Sequence, residues 1–118
     1  MSHTVKIEIE LTDLDVLKTA CKRLNLKYND NSTVQLYDGN SYTGFVVQLP
    51  NWNFPIVISG KTIYYDNYNG NWGNISELNK LKTYYGVEKV KQLARAKGYS
   101  YRELMINNNP QIRIAVRR

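Results

Sequence analysis

The side chains that could do chemistry in this chain of 118 residues are few and far apart. Its one cysteine, Cys21, falls in a helical stripe with Leu14, Leu17 and Leu24, where a thiol serves as a small core hydrophobe. A nucleophile would need an activating base and a group to orient that base, and neither stands near it in the pattern. The one histidine, His3, sits in a terminal segment. Glu8 and Glu10 project from one face of a strand, roughly 7 Å apart by strand rise. A carboxylate pair can do acid/base work, but their alternation with apolar residues reads as a solvent face. Asp66, Asn67 and Asn69 loosely match calcium-ligand spacing without the bidentate Glu such a loop requires. A multi-cysteine zinc site and a His-rich centre are excluded by the counts, and the scattered glycines form no phosphate cradle. No metal and no cofactor is implied, and a non-catalytic protein is expected.

Aromatic and basic residues are the stronger signal. The chain holds ten Tyr and fourteen Asn and carries a net charge of +6. Trp52, Phe54, Tyr64, Tyr65, Tyr68 and Trp72 all lie between Asn51 and Asn74. Tyr and Trp anchor protein interfaces, and they also stack on the bases of single-stranded nucleic acid. Core packing accounts for part of the set, because one of two adjacent strand residues such as Tyr64 and Tyr65 faces inward. Trp52, Tyr68 and Trp72 are the candidate partner-binding residues.

The charge is uneven. Residues 1–76 have a net charge of −1, whereas residues 77–118 hold ten Lys/Arg against three Glu, net +7. Such an excess suits nucleic acid, an acidic protein or anionic lipid, and equally a solvated helix face. The alternative nucleic-acid site comprises Lys89, Lys91, Arg95, Lys97, Arg113 and Arg117, with Lys80 and Lys82 nearby.

These residues need elements to position them. Val5 to Leu11 alternates apolar and charged residues, a strand with Val5, Ile7, Ile9 and Leu11 inward. Thr12 reads as the N-cap of a helix from Asp13 to Leu24, with Asp13 and Asp15 favourable in its first turn. Strands follow at Thr33–Tyr37, Gly44–Leu49, Phe54–Ile58 and Lys61–Tyr65, separated by the Asp38-Gly39-Asn40-Ser41 turn and a tight hairpin at Ser59-Gly60. A Gly/Asn-rich loop carries Tyr68 and Trp72. A second helix starts near Ser76, buries Leu78, Leu81, Val90 and Leu93, and ends at the C′ glycine Gly98. Gly86, costing about 1 kcal/mol inside a helix, is where this helix can kink or break. Tyr99–Ile106 and Ile112–Val116 are strands around an Asn107-Asn108-Asn109-Pro110 turn. Lys22 to Tyr28 echoes Arg95 to Tyr101, which fits either a duplicated strand-helix-strand-strand unit or two similar helix exits.

The Met1-Ser2-His3 start, the first-helix pattern, Leu81-Lys82-Thr83-Tyr84-Tyr85-Gly86-Val87-Glu88-Lys89-Val90, Ala96-Lys97-Gly98-Tyr99 and the final Ile112-Arg113-Ile114-Ala115-Val116-Arg117 carry a resemblance. In order and spacing over most of the chain, they are similar to the hypothetical chloroplast open reading frame 35 family, small proteins of plastids, cyanobacteria and some phages. Thr4 replaces the family's usual aromatic, and the chain ends Arg117-Arg118 without the closing Trp. The resemblance implies a cyanobacterial, plastid or phage setting and no particular activity.

The expectation is therefore one α+β domain. It has a mainly antiparallel sheet, a short N-terminal helix, and a longer C-terminal helix, broken or whole, on one face. No apolar run reaches the roughly 18 residues a membrane helix needs, and no signal-peptide core is visible. A soluble accessory or adaptor protein is expected, cytoplasmic or in the plastid stroma. A protein is its expected partner, and a basic nucleic-acid-binding module is the alternative.

Overall fold

The computed structural model describes residues 5–8 and 11–115, with side-chain surroundings from residue 11 onward. The expected inward placement of Val5, Ile7 and Ile9 lies outside the described side chains, as do Glu8, Glu10, His3 and Arg117.

The chain is α+β. Strands β1 (Val5–Glu8), β2 (Lys27–Gln35), β3 (Ser41–Gln48), β4 (Ile56–Ser59) and β5 (Thr62–Tyr65) form an antiparallel sheet in the order β1-β5-β4-β3-β2. Helix α1 (Leu14–Arg23) and helix α2 (Ile75–Ala96) pack against it, and strands β6 (Ser100–Ile106) and β7 (Asn109–Ala115) form a separate hairpin along α2. No described helix is long and apolar enough to cross a membrane.

Strand alternation builds the core. Phe45 lies beside Ile58 and Ile58 beside Ile63, while Val47 pairs with Ile56, so these side chains share one face. They meet Val16, Leu17, Ala20 and Cys21 from α1 and Leu78, Leu81 and Tyr85 from α2. Tyr65 joins them, while Tyr64 points to the other face, where its ring lies 4.6 Å from that of Tyr42. The Tyr28 ring stacks on Phe45 at 5.3 Å.

The helix boundaries differ from the sequence expectation in instructive ways. Asp13, not Thr12, is the N-cap of α1: its carboxylate accepts the Val16 N–H, and its own N–H donates to Tyr85 Oη. Leu14 is 45% exposed, so the buried stripe is Val16, Leu17, Ala20 and Cys21 instead. Helix α2 begins at Asn74, whose side chain accepts from the Ser76 N–H, and runs 22 residues without a break. Gly86 is tolerated because it sits on the solvent side, with nothing within 4 Å of where a Cβ would lie. Leu93 is 49% exposed and not part of the buried side.

Both helices end in the same cap. Gly98, with φ 71°, donates to the Arg95 carbonyl while Tyr99 N–H reaches Ala94. Asn25, with φ 55°, donates to Lys22 while Leu26 N–H reaches Cys21. These are Schellman motifs, and they are what the echo between Lys22–Tyr28 and Arg95–Tyr101 encodes locally. Each cap leads into a hairpin, β2–β3 or β6–β7.

Strand limits shift too. β2 reaches back to Lys27, and the β4–β5 turn falls on Gly60-Lys61, one residue later than expected, because Ser59 pairs with Thr62. The β6–β7 turn contains only Asn107 and Asn108, whose φ values of 52° and 64° suit a type I′ hairpin. Asn109 and Pro110 are thus strand residues.

Candidate functional site

Aromatic rings from two loops and a turn come into contact with one another. The Leu36 carbonyl accepts the Gly39 N–H, closing the β2–β3 turn that carries Tyr37. The β3–β4 connection carries Trp52 and Phe54, and the β5–α2 connection carries Tyr68 and Trp72. Asn53 N–H donates to the Trp72 carbonyl at 2.8 Å, tying the last two together.

Trp52 and Trp72 have opposite roles. Trp52 is buried, 5% exposed, which corrects its assignment to a partner surface. Its indole N–H donates to the Asn74 carbonyl at 3.1 Å, and its ring meets Tyr65 edge-on at 5.6 Å. Gly73 lies flat against the indole: a Cβ there would stand 2.3 Å from the ring, closer than any side chain could approach. Gln48 Nε2 adds bonds to the Leu49 and Trp52 carbonyls. Trp52 is thus the peg on which the next loop is hung.

Trp72, one residue before that glycine, is half-buried at the surface. Its ring touches three others: Tyr68, stacked at 4.8 Å, Tyr37, edge-on at 4.8 Å, and Phe54 at 5.7 Å. Tyr37 is 51% exposed and Tyr68 38%. The backbone beneath Tyr68 is unusual. Tyr68, Asn69 and Gly70 take consecutive positive φ values of 47°, 53° and 94°, a conformation that costs a bulky side chain free energy. The loop is over-determined at that point. The buried Asp66 carboxylate accepts the Tyr68 N–H, the Asn67 carbonyl accepts from Gly70 and Trp72, and Asn67 Nδ2 reaches Gly73. Strain held in place by such a network is characteristic of functional surfaces.

The sequence pattern singles out Tyr68 and Trp72 of this cluster, includes Phe54 in the aromatic set without selecting it, and misses Tyr37. A usable signal existed: Tyr37 and Phe54 sit next to turn residues, Asp38-Gly39 and Pro55, where a ring escapes the pleated core.

The described basic candidates on α2 are each engaged within the fold or lie at the helix end. Lys89 Nζ bonds Asp13 and Gln92 at 2.9 and 3.0 Å. Lys91 pairs with Glu88 at 3.0 Å and Glu103 at 2.6 Å, and Arg23 joins the same two carboxylates, bidentate on Glu103. This network links α1, α2 and β6. The Arg23 guanidinium, then the Lys91 ammonium, hold the Glu103 carboxyl below its ordinary range. Burial disfavours the Lys91 charge, but its bonds to Glu103 and Glu88 outweigh that and raise its pKa. Arg95 donates to Tyr101 Oη at 3.0 Å, Lys97 is the exposed C-cap of α2, and Arg113 lies apart on β7. Lys89 and Lys91 of the candidate basic site each hold carboxylates of the fold.

Cys21 is buried in the core, and desolvation pushes its thiol up to about 12. No cluster of His, Cys, Asp and Glu suited to a metal ion occurs among the described residues. The chain matches no family model, no curated protein and no solved structure.

Proposed function

We propose that this chain is a non-catalytic accessory or adaptor module that binds a protein partner through the surface formed by Tyr37, Phe54, Tyr68 and Trp72. One observation carries the reading: four rings in mutual contact, drawn from three connections of the sheet, stay partly open to water while Trp52 is buried behind them. Aromatic anchors of this kind dominate interface energetics, because each buries a large rigid surface at little entropic cost. The rings pack against one another rather than splaying apart, which suits a protein surface better than intercalated bases. A cyanobacterial, plastid or phage setting is proposed from the residue resemblance alone.

The basic C-terminal helix is a weaker basis for function, since Lys89 and Lys91 neutralise carboxylates of the fold. Affinity capture from cells that encode the protein, with and without nuclease, tests the proposal. A discrete protein retained after nuclease and lost on Trp72→Ala supports it; no discrete protein left after nuclease, or one that Trp72→Ala does not weaken, overturns it.

A further inference from the structure

The β6–β7 hairpin has two faces fixed by its register. Tyr101, Glu103 and Met105 lie opposite Ile114, Ile112 and Pro110. That face turns toward the helices, since Glu103 is held by Arg23 and Lys91, and Tyr101 Oη accepts from Arg95. On the opposite face Arg102 and Arg113 are direct register partners, both exposed. Two like charges opposed across a ladder destabilise it. The hairpin's one acid, Glu103, points the other way, and neither arginine has an ion-pair or hydrogen-bond partner among the described residues. Both rim a shallow concavity of about 220 Å³ at the base of the ribbon. Further along the same face, Gln111 stands opposite Leu104 and Asn109 opposite Ile106, and both amides are exposed.

We propose that this face is a DNA-binding ribbon, with its outward side entering the major groove of duplex DNA. Charge complementarity is the first argument. The face carries two cations and no acid, at the end of a chain whose last 42 residues hold the whole net positive charge. Shape is the second. Two strands about 4.8 Å apart fit a groove roughly 12 Å wide, and both outer ribbon edges are unpaired in the described sheet. Side-chain chemistry is the third: the two arginines neutralise phosphates lining the groove, Gln and Asn are residues that make bidentate contacts to adenine, and Leu104 and Ile106 offer apolar contact for a thymine methyl. The deep, narrow major groove of A-form RNA would not admit the ribbon. This surface shares no residue with the aromatic cluster, so the two proposals stand or fall separately.

The test is fluorescence anisotropy of the full chain with an end-labelled duplex of about two helical turns, between about 50 and 200 mM salt. Arg102→Gln with Arg113→Gln is compared with the charge-matched Lys22→Gln with Lys61→Gln, two exposed lysines away from the hairpin. The ribbon variant should bind at least about tenfold more weakly at low salt. Its log–log salt slope should be shallower by about 1.8, because each phosphate that an arginine neutralises adds about −0.9 to the slope. The lysine variant should change affinity by less than about twofold, the scale of one exposed charge screened by salt. Removing the opposed charges should leave the thermal midpoint of the ribbon variant equal or higher, so weaker binding cannot be ascribed to misfolding. Equal losses in the two variants would overturn the proposal by showing binding through net charge alone. So would undetectable wild-type binding at low salt. Competition by poly-glutamate as effective as that by unlabelled duplex would overturn it in favour of an acidic protein.

Discussion

Truncating the two tryptophans separately should divide them into anchor and surface. Trp52→Ala removes a ring that is 5% exposed, packed on Tyr65 and pressed by Gly73. Emptying such a site costs about 3–5 kcal/mol. It also removes the indole N–H from the carbonyl of Asn74, the residue that caps α2. In a chain of 118 residues, with an unfolding entropy of about 2.1 cal/mol/K per residue, each kcal/mol moves the midpoint by about 4 °C, so a drop of about 12–20 °C is expected. Trp72→Ala removes a half-buried ring whose three neighbours can close on one another, since Tyr37 and Phe54 already touch at 6.2 Å. Its cost should be about 1–2 kcal/mol, below that of a fully buried aromatic. Urea unfolding followed by far-UV circular dichroism measures both on a common slope, without relying on the fluorescence that each substitution alters. If Trp72→Ala costs as much as Trp52→Ala, the four rings are core and the surface reading is refuted. If Trp52→Ala costs under about 1 kcal/mol, the burial-based magnitude fails and Trp52 does not anchor the loop.

Cys21 should resist thiol reagents in the native protein and react fully in denaturant, because its thiol is buried with a pKa of about 12; fast native labelling, read by mass spectrometry, would contradict that placement. Gly86→Ala should stabilise the chain by about 0.5–1 kcal/mol in urea unfolding, since an added methyl meets nothing within 4 Å and the backbone is already helical. Glu103 has a pKa depressed from its ordinary 4.5, first by Arg23 and then by Lys91, so its contribution is complete above 4.5 and is lost as pH falls through the folded value. Hydrogen-exchange protection factors in β6 and β7 should therefore fall below pH 4.5 before those of the main sheet, and Glu103→Gln should remove that selectivity.

Much of this architecture is legible in local chemistry. The unbroken apolar runs Phe45–Val47 and Ile56–Ile58, the turn residues Asp38-Gly39 and the C′ glycine Gly98 each specify their element within a few residues. What local chemistry leaves open is decided by packing at long range. Leu14 and Leu93 fit a three-four stripe as well as their buried neighbours do, yet the packing of the helices leaves both exposed. Thr12 and Asp13 are both capping residues, and the Tyr85 hydroxyl, 72 positions away from Asp13, helps select the second. Trp52 and Trp72 occupy similar Asn-rich segments, and the long-range approach of Gly73, the Asn74 carbonyl and Tyr65 to the Trp52 indole separates them. The opposition of Arg102 and Arg113 was accessible from turn chemistry. A two-residue Asn107-Asn108 turn pairs them directly, whereas a four-residue turn through Pro110 shifts the register and hides the pair.

The central claim is that the Tyr37–Phe54–Tyr68–Trp72 surface is where a protein partner sits. Site-specific photo-crosslinking from position 37, with a control at the exposed Leu93 remote from the cluster, tests it most directly. The account predicts one discrete protein adduct from position 37, insensitive to nuclease, absent from position 93, and lost when Trp72→Ala is added. The same adducts from both positions, or an adduct from position 37 that survives Trp72→Ala undiminished, would contradict it.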